Sequence, residues 1–188
     1  MMITRSELLD VIYRFYPRGV LPLMRIYVPP TEPFYDDTEE HRRLVEAASR
    51  GRAEYPTWEA MIHRLGDRYG LQNESLSLVA GWVAPAYSAR IYRSKDLEPV
   101  PSPNSRASLS FHVSLLGPYY GIHDRGEPDD VPVAVAEEIE ATYPGYQPIP
   151  PELGNEVVPD VAMDGVSMGK ATIYVCLLSD VWTWVDPV

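Results

Sequence analysis

The chain of 188 residues has a single cysteine, Cys176, and only two lysines among its 16 basic residues. A lone thiol forms no internal disulfide and no thiolate zinc site, and it fits a reducing compartment. Long apolar runs are missing too: none approaches the ~20 residues of a membrane span. The opening MMITRSELLDVIYRFYPRG puts Glu7 and Asp10 where a signal peptide would keep an unbroken apolar stretch, so the expected location is cytoplasmic. Positive charge is scarce, with 16 Lys+Arg against 27 Asp+Glu and a formal net charge of −11, the wrong sign for a nucleic-acid binder. What is present is a globular composition: 45% hydrophobic and 23% charged residues exclude global disorder. One domain of this size buries ~70% of the surface its unfolded chain exposes, without help from disulfides or metals.

The acidic excess is segregated along the chain. Residues 1–70 hold 10 Arg and 11 acids, residues 71–126 five bases and four acids, and residues 127–188 twelve acids and one base, Lys170. A charge confined to one segment is able to build a surface field that an interspersed charge does not.

Hydrophobic periodicity divides the chain into a mainly helical part, 1–70, and a mainly stranded part, 71–188, within one α+β domain. Thr4 and Glu7 have capping-box spacing, Ile3 and Leu8 fit a hydrophobic staple, and Leu8, Leu9, Ile12, Phe15 and Tyr16 recur at helical spacing before Pro17 stops the helix. The stretch LMRIYV, 23–28, between prolines reads as an edge strand. A second helix is expected over about 38–49, with a thin stripe of Leu44, Val45 and Ala48. A third is expected after Pro56, capped by Thr57, with Trp58, Met61, Ile62, Leu65 and Tyr69 on one face and Gly70 beyond its end.

After Gly70 the period changes to two. SLSLVAGWV (75–83) and YSARIY (87–92) suit strands, and Ser108–Leu116 alternates so cleanly that a half-buried antiparallel strand is expected, with Leu109, Phe111, Val113 and Leu115 inward and Ser110, His112 and Ser114 outward. Gly117-Pro118 turns it toward Tyr119–Ile122, and Glu98–Ser105 reads as an exposed hairpin loop. A helix near 132–143 follows, opened by Asp130, Val131 and Pro132, with Val135, Ala136, Ile139 and Tyr143 inward. The Pro-dense segment 143–159 carries enough anchors in Tyr143, Tyr146, Ile149 and Leu153 to be ordered. ATIYVCLL, 171–178, is apolar on both faces and reads as a central strand, with Cys176 as inert core. Helices are expected against one face of a mainly antiparallel sheet.

Catalytic and cofactor motifs are weak. Gly165-Val-Ser-Met-Gly169-Lys170-Ala171-Thr172 has three residues between its glycines where a phosphate loop has four, and Ala171 stands where the loop needs a hydroxyl. It also leads into an expected strand rather than a helix N-terminus. His41, His63, His112 and His123 lack zinc-ligand spacing. His112 between Ser110 and Ser114 invites a triad reading, but neither serine sits in a glycine-rich elbow. The polar cluster 123–130 lacks calcium-loop spacing, and its Asp129 and Asp130 suit the positive end of the following helix. No cofactor or metal is therefore expected.

The acidic end is the more suggestive feature. Glu137, Glu138 and Glu140 share a helix with no lysine or arginine, where like charges work against its own stability. Around them in the sequence stand Asp129, Asp130, Glu152, Glu156 and Asp160, and Trp182 and Trp184 share a face at strand spacing. Aromatic anchors among carboxylates suit a basic protein partner.

Leu116-Gly-Pro-Tyr-Tyr-Gly-Ile, Tyr143-Pro-Gly-Tyr-Gln-Pro-Ile-Pro-Pro-Glu-Leu-Gly-Asn-Glu-Val-Val-Pro and Gly169-Lys-Ala-Thr-Ile-Tyr-Val-Cys-Leu-Leu-Ser-Asp resemble segments of the small immunity proteins of myxobacterial toxin and immunity pairs used in kin recognition. The resemblance covers about residues 55–184, and its motifs are structural, without a catalytic signature. It implies a cytoplasmic protein that binds and neutralises one cognate toxin, with no catalytic residues to carry over. Two other readings stand beside it. One is a small hydrolase or transferase using His112 or His123 with nearby carboxylates. The other is an adaptor domain whose Pro-rich loops bind another chain.

Overall fold

The computed structural model describes residues 3–22, 27, 31–69, 71–73, 83–91, 109–124 and 130–178. The expected strands at 23–28 and 75–83, the Gly70 cap, the 98–105 loop, Asp129, Trp182 and Trp184 lie wholly or almost wholly outside them.

Helix α1, Arg5–Phe15, forms as its sequence dictates. The Thr4 hydroxyl accepts from the Glu7 amide while the Glu7 carboxylate accepts from the Thr4 amide, which completes the capping box. Ahead of Pro17, Tyr16 leaves the helix with extended backbone angles. Leu8, Ile12 and Phe15 make its buried face.

The two helices expected on either side of Pro56 are one, α2, Glu39–Tyr69. Thr38 starts it, its hydroxyl accepting from the His41 amide. A proline in a helix interior removes a hydrogen bond and costs about 3 kcal/mol, and tertiary packing outweighs that. Leu44, Ala47, Ala48 and Gly51 upstream and Trp58, Met61, Ile62 and Leu65 downstream form one stripe whose phase runs unbroken through the proline. Pro56 itself is exposed, and Val45, expected in the stripe, is 37% exposed.

Five strands make a mixed sheet in the order β1-β2-β3-β4-β5: Leu71–Asn73, Ala86–Ile91, Leu109–Ser114, Tyr119–Asp124 and Gln147–Pro148. The first three pairings are antiparallel and β4–β5 is parallel. Helix α3, Asp130–Thr142, follows β4; α4, Pro151–Gly154, and α5, Ile173–Leu178, complete the domain.

The α+β class is as expected, but the layering differs. Tyr87, Ala89 and Ile91 of β2 and Leu109, Phe111 and Val113 of β3 pack with Trp58, Met61, Ile62 and Leu65 of α2 and Val131, Val135 and Ile139 of α3. Trp58 is fully buried and stacks on Tyr87 at 5.0 Å. The opposite face, expected in water, carries Ser88, Ser110, His112 and Ser114, all buried. Helix α5 covers it, in contact with β2, β3 and β4. Gly121 permits this cover: a β-carbon there would come within 2.6 Å of a Tyr174 ring carbon.

The expected central strand at 171–178 is therefore α5. Thr172 caps it, its hydroxyl accepting from the Val175 amide and its carbonyl from the Cys176 amide. β-branched residues in the eight-residue run 171–178 suggest a strand, but at that length periodicity does not separate a strand from a buried helical segment. Ile173, Cys176 and Leu177 are spaced for one helical face, and they join α1, Tyr119, Ile149, Val158 and Val161 in a second core. The 143–159 segment is ordered as expected, with Ile149 buried and its amide bonded to the Tyr120 carbonyl.

Candidate functional site

The described acidic residues divide by partner. Asp130 lies in the first turn of α3, exposed, where its charge complements the helix dipole. Glu137 and Glu140 are exposed, and Glu140 accepts a 2.7 Å hydrogen bond from Tyr120. Glu138, expected to be unpaired because its own helix has no base, meets Arg64 of α2 at 2.6 Å. Glu152 is exposed on α4. Glu156 is bound by Arg5 at 2.5 Å, and Asp160 by Arg18 at 2.5 Å and by the Tyr13 hydroxyl at 3.0 Å. Burial alone would raise the Asp160 carboxyl, but the hydrogen bonds from Arg18 and Tyr13 outweigh it and hold the group below its ordinary value. The segregation seen along the sequence is thus partly undone in space, where arginines of the helical part neutralise three acids of the last third. No reading of local spacing finds these pairs, since the partners lie 74 to 151 residues apart.

What stays open is the α2–α3 side. Between these helices runs a groove lined by Pro56, Thr57, Ala60, Arg64, Glu138, Ala141 and Thr142. Arg64 reaches across it, its Nε donating to Glu138 and its Nη2 to the Thr142 hydroxyl at 2.9 Å.

His112 lies elsewhere, inside the sheet–α5 layer. Its Nδ1 is 2.9 Å from the Ser88 hydroxyl, so the serine that joins it belongs to β2 rather than being Ser110 or Ser114. Register explains the choice: Ser88 lies directly opposite His112, and the two neighbours on its own strand point the same way without facing it. Burial first, then the charges of Arg90 and His123, pushes its imidazolium down to about 3. A base of that strength is poorly matched to proton transfer near neutral pH, and both partners are closed off from solvent. His123 pairs with Ser110 across β3–β4, on the outer half of β4. Burial likewise lifts the Cys176 thiol to about 12, leaving it a core atom rather than a nucleophile.

The glycine turn before α5 corrects one reason given against a phosphate loop, since it leads into a helix and not a strand. Gly165 and Gly169 take positive φ as turn residues, the loop spacing is still one residue short, and the Thr172 hydroxyl is engaged by the Val175 amide. Among the described residues no group of three or more His, Cys, Asp or Glu side chains is placed to hold a metal, and no helix is long and apolar enough to cross a membrane. No family model, curated protein or solved structure matches this chain.

Proposed function

We propose that the chain is a non-enzymatic binding protein that sequesters a basic protein, acting in the cytoplasm as the immunity factor for a cognate toxin. The observation that supports this best is helix α3. It exposes Asp130, Glu137 and Glu140 without a lysine or arginine of its own, and among the described residues only Glu138 is drawn into an ion pair. Such a helix gains little for its own stability and presents one sign of charge to solution, where complementary charge speeds association and orients the encounter. The hydrolase reading loses its first candidate, because His112 is buried, neutral and held by a buried serine.

The test uses a tagged chain in a pull-down from its source cells at low and high salt, followed by expression of any captured protein alone and together with the chain. A basic partner released by high salt, toxic alone and harmless in coexpression, is the expected result. The structure narrows the charge-reversal test to Asp130→Lys and Glu137→Lys, which disturb no ion pair or hydrogen bond described above. These should slow association at low salt and flatten its salt dependence. A partner whose binding ignores both salt and reversal would favour the adaptor reading, and the absence of any toxic partner would overturn the immunity reading.

A further inference from the structure

On its β4 side the sheet ends in a strand that β5 covers only in part. The N–H and C=O of one strand residue point to the same side, and successive residues alternate. The Ile149 amide bonds to the Tyr120 carbonyl, so Tyr120, Ile122 and Asp124 direct their backbone groups away from β3. Strand β5 takes the first of these positions and stops, since it pairs with Tyr119 and Tyr120 alone. Among the described residues nothing bonds to the outward amide or carbonyl of Ile122. Ile122 is half-buried and Asp124 is exposed, which puts this stretch of the edge beside solvent. Unbonded main-chain groups at a sheet edge are a template for another strand, and proteins normally blunt or cover them.

One flank of α3 runs beside this edge. Glu140 accepts from the Tyr120 hydroxyl at 2.7 Å, which places that flank over β4, and Ala136 and Val133 lie one and two turns earlier on the same side of the helix. Ile122 and Ala136 both pack at the margin of the core beneath, while Val133 is 57% exposed. Glu137 and Asp130 stand exposed outside them. Arg64 bonds to Glu138 and Thr142, on the flank that faces α2.

We propose that the β4 edge beyond β5 takes up an extended basic segment of a partner protein as an added strand, its main chain bonding to Ile122 and its side chains lying along Val133 and Glu140 of α3. Main-chain bonds hold such a strand, Val133 and Ala136 seat its alternate side chains, and the carboxylates of Asp124, Glu137 and Glu140 receive its lysines or arginines. The sign of the charge decides between occupants. A second copy pairing edge to edge would set these carboxylates against their own kind, whereas a basic strand meets the opposite sign. That the strand comes from a basic protein rests on the function proposed above; the open edge does not.

The experiment follows Ile122 by NMR in the full chain. Its amide proton should exchange with solvent faster than that of Gly121, which faces β3; an Ile122 amide as slow as Gly121 means that the edge is already covered and overturns the proposal. N-acetyl-Lys-Val-Lys-Val-Lys-amide is then titrated in, beside a version with Glu for every Lys and a version with every amide N-methylated. The basic peptide should shift the Ile122 amide saturably and slow its exchange, and the other two should not. Val133→Arg, at an exposed position, should weaken binding roughly two- to fivefold without lowering the unfolding temperature. Equal binding of the three peptides, or equal affinity of parent and variant, overturns the proposal. Protection of Ile122 that rises with protein concentration alone assigns the edge to a second copy and overturns it too. So does a captured toxic partner whose complex leaves the Ile122 amide unprotected, a result under which the immunity reading stands. Peptide binding of the expected kind with no toxic partner captured supports the strand site and removes the immunity reading.

Discussion

Ser88 and His112 face each other across β2 and β3 on the buried face that α5 covers. Their consequence is a pH dependence with a definite sign. The folded value of about 3 lies below the ordinary 6.5, so the native protein excludes a proton that the unfolded chain accepts. The stability tied to the neutral ring is complete above about pH 6.5 and is lost as pH falls from there toward about 3, by up to about 1.4 kcal/mol per pH unit. Urea unfolding of the parent and of His112→Gln between pH 7 and 4.5 should show a steeper acid loss in the parent; parallel curves would refute it. Removing only the hydroxyl, in Ser88→Ala, should cost about 1–3 kcal/mol at pH 7, as expected when a buried polar atom loses its partner. Gly121 makes a third case. Gly121→Ala would drive a methyl into the Tyr174 ring and should cost about 1–3 kcal/mol, measurable in the same unfolding curves.

At the scale of elements, α2 and α5 show which signals carried and which did not. The N-terminal helix, the helix at 130–142, the alternation in β3 and the turn into β4 were legible because each rests on local chemistry: a capping box, a proline stop, a period of two. For α2 the local breaker and the longer-range stripe disagree. The stripe from Leu44 to Leu65 keeps one phase across Pro56, and that phase was the signal to follow. If packing alone holds α2 together there, Pro56→Ala should stabilise the protein by about 1 kcal/mol or more, raising the midpoint of thermal unfolding by about 2–4 °C. An unchanged midpoint would mean that the proline is accommodated without penalty. For α5 no local signal separated the alternatives. The polar face of β3 reads as wet because serine and histidine are equally suited to water, and only the presence of a helix above them decides otherwise.

Across the whole molecule, the candidate site was legible in sign and not in position. The acids of α3 could be read from the sequence. Which of them remain available depends on Arg5, Arg18 and Arg64, whose reach is set by the tertiary fold. Exposed ion pairs of this kind contribute little to stability and respond to salt, so their main effect is on the pattern of free charge.

The bond from the Tyr16 hydroxyl to the Cys176 carbonyl, at 2.9 Å, spans 160 positions of the chain. Helix α1 shares its core with Leu44 and Ala47 of α2, with Leu116, Tyr119 and Ile149, and with residues 158–178, whereas the other core is closed by residues up to 146. Helix α1 meets α2 over a far shorter loop, but the part of its apolar stripe that residues 158–178 cover stays open until those residues have been made and folded back. Such long loop closures slow folding and prolong the exposure of sticky surface. In pulsed hydrogen exchange during refolding, the amides of α1 should gain protection after those of β2 and β3.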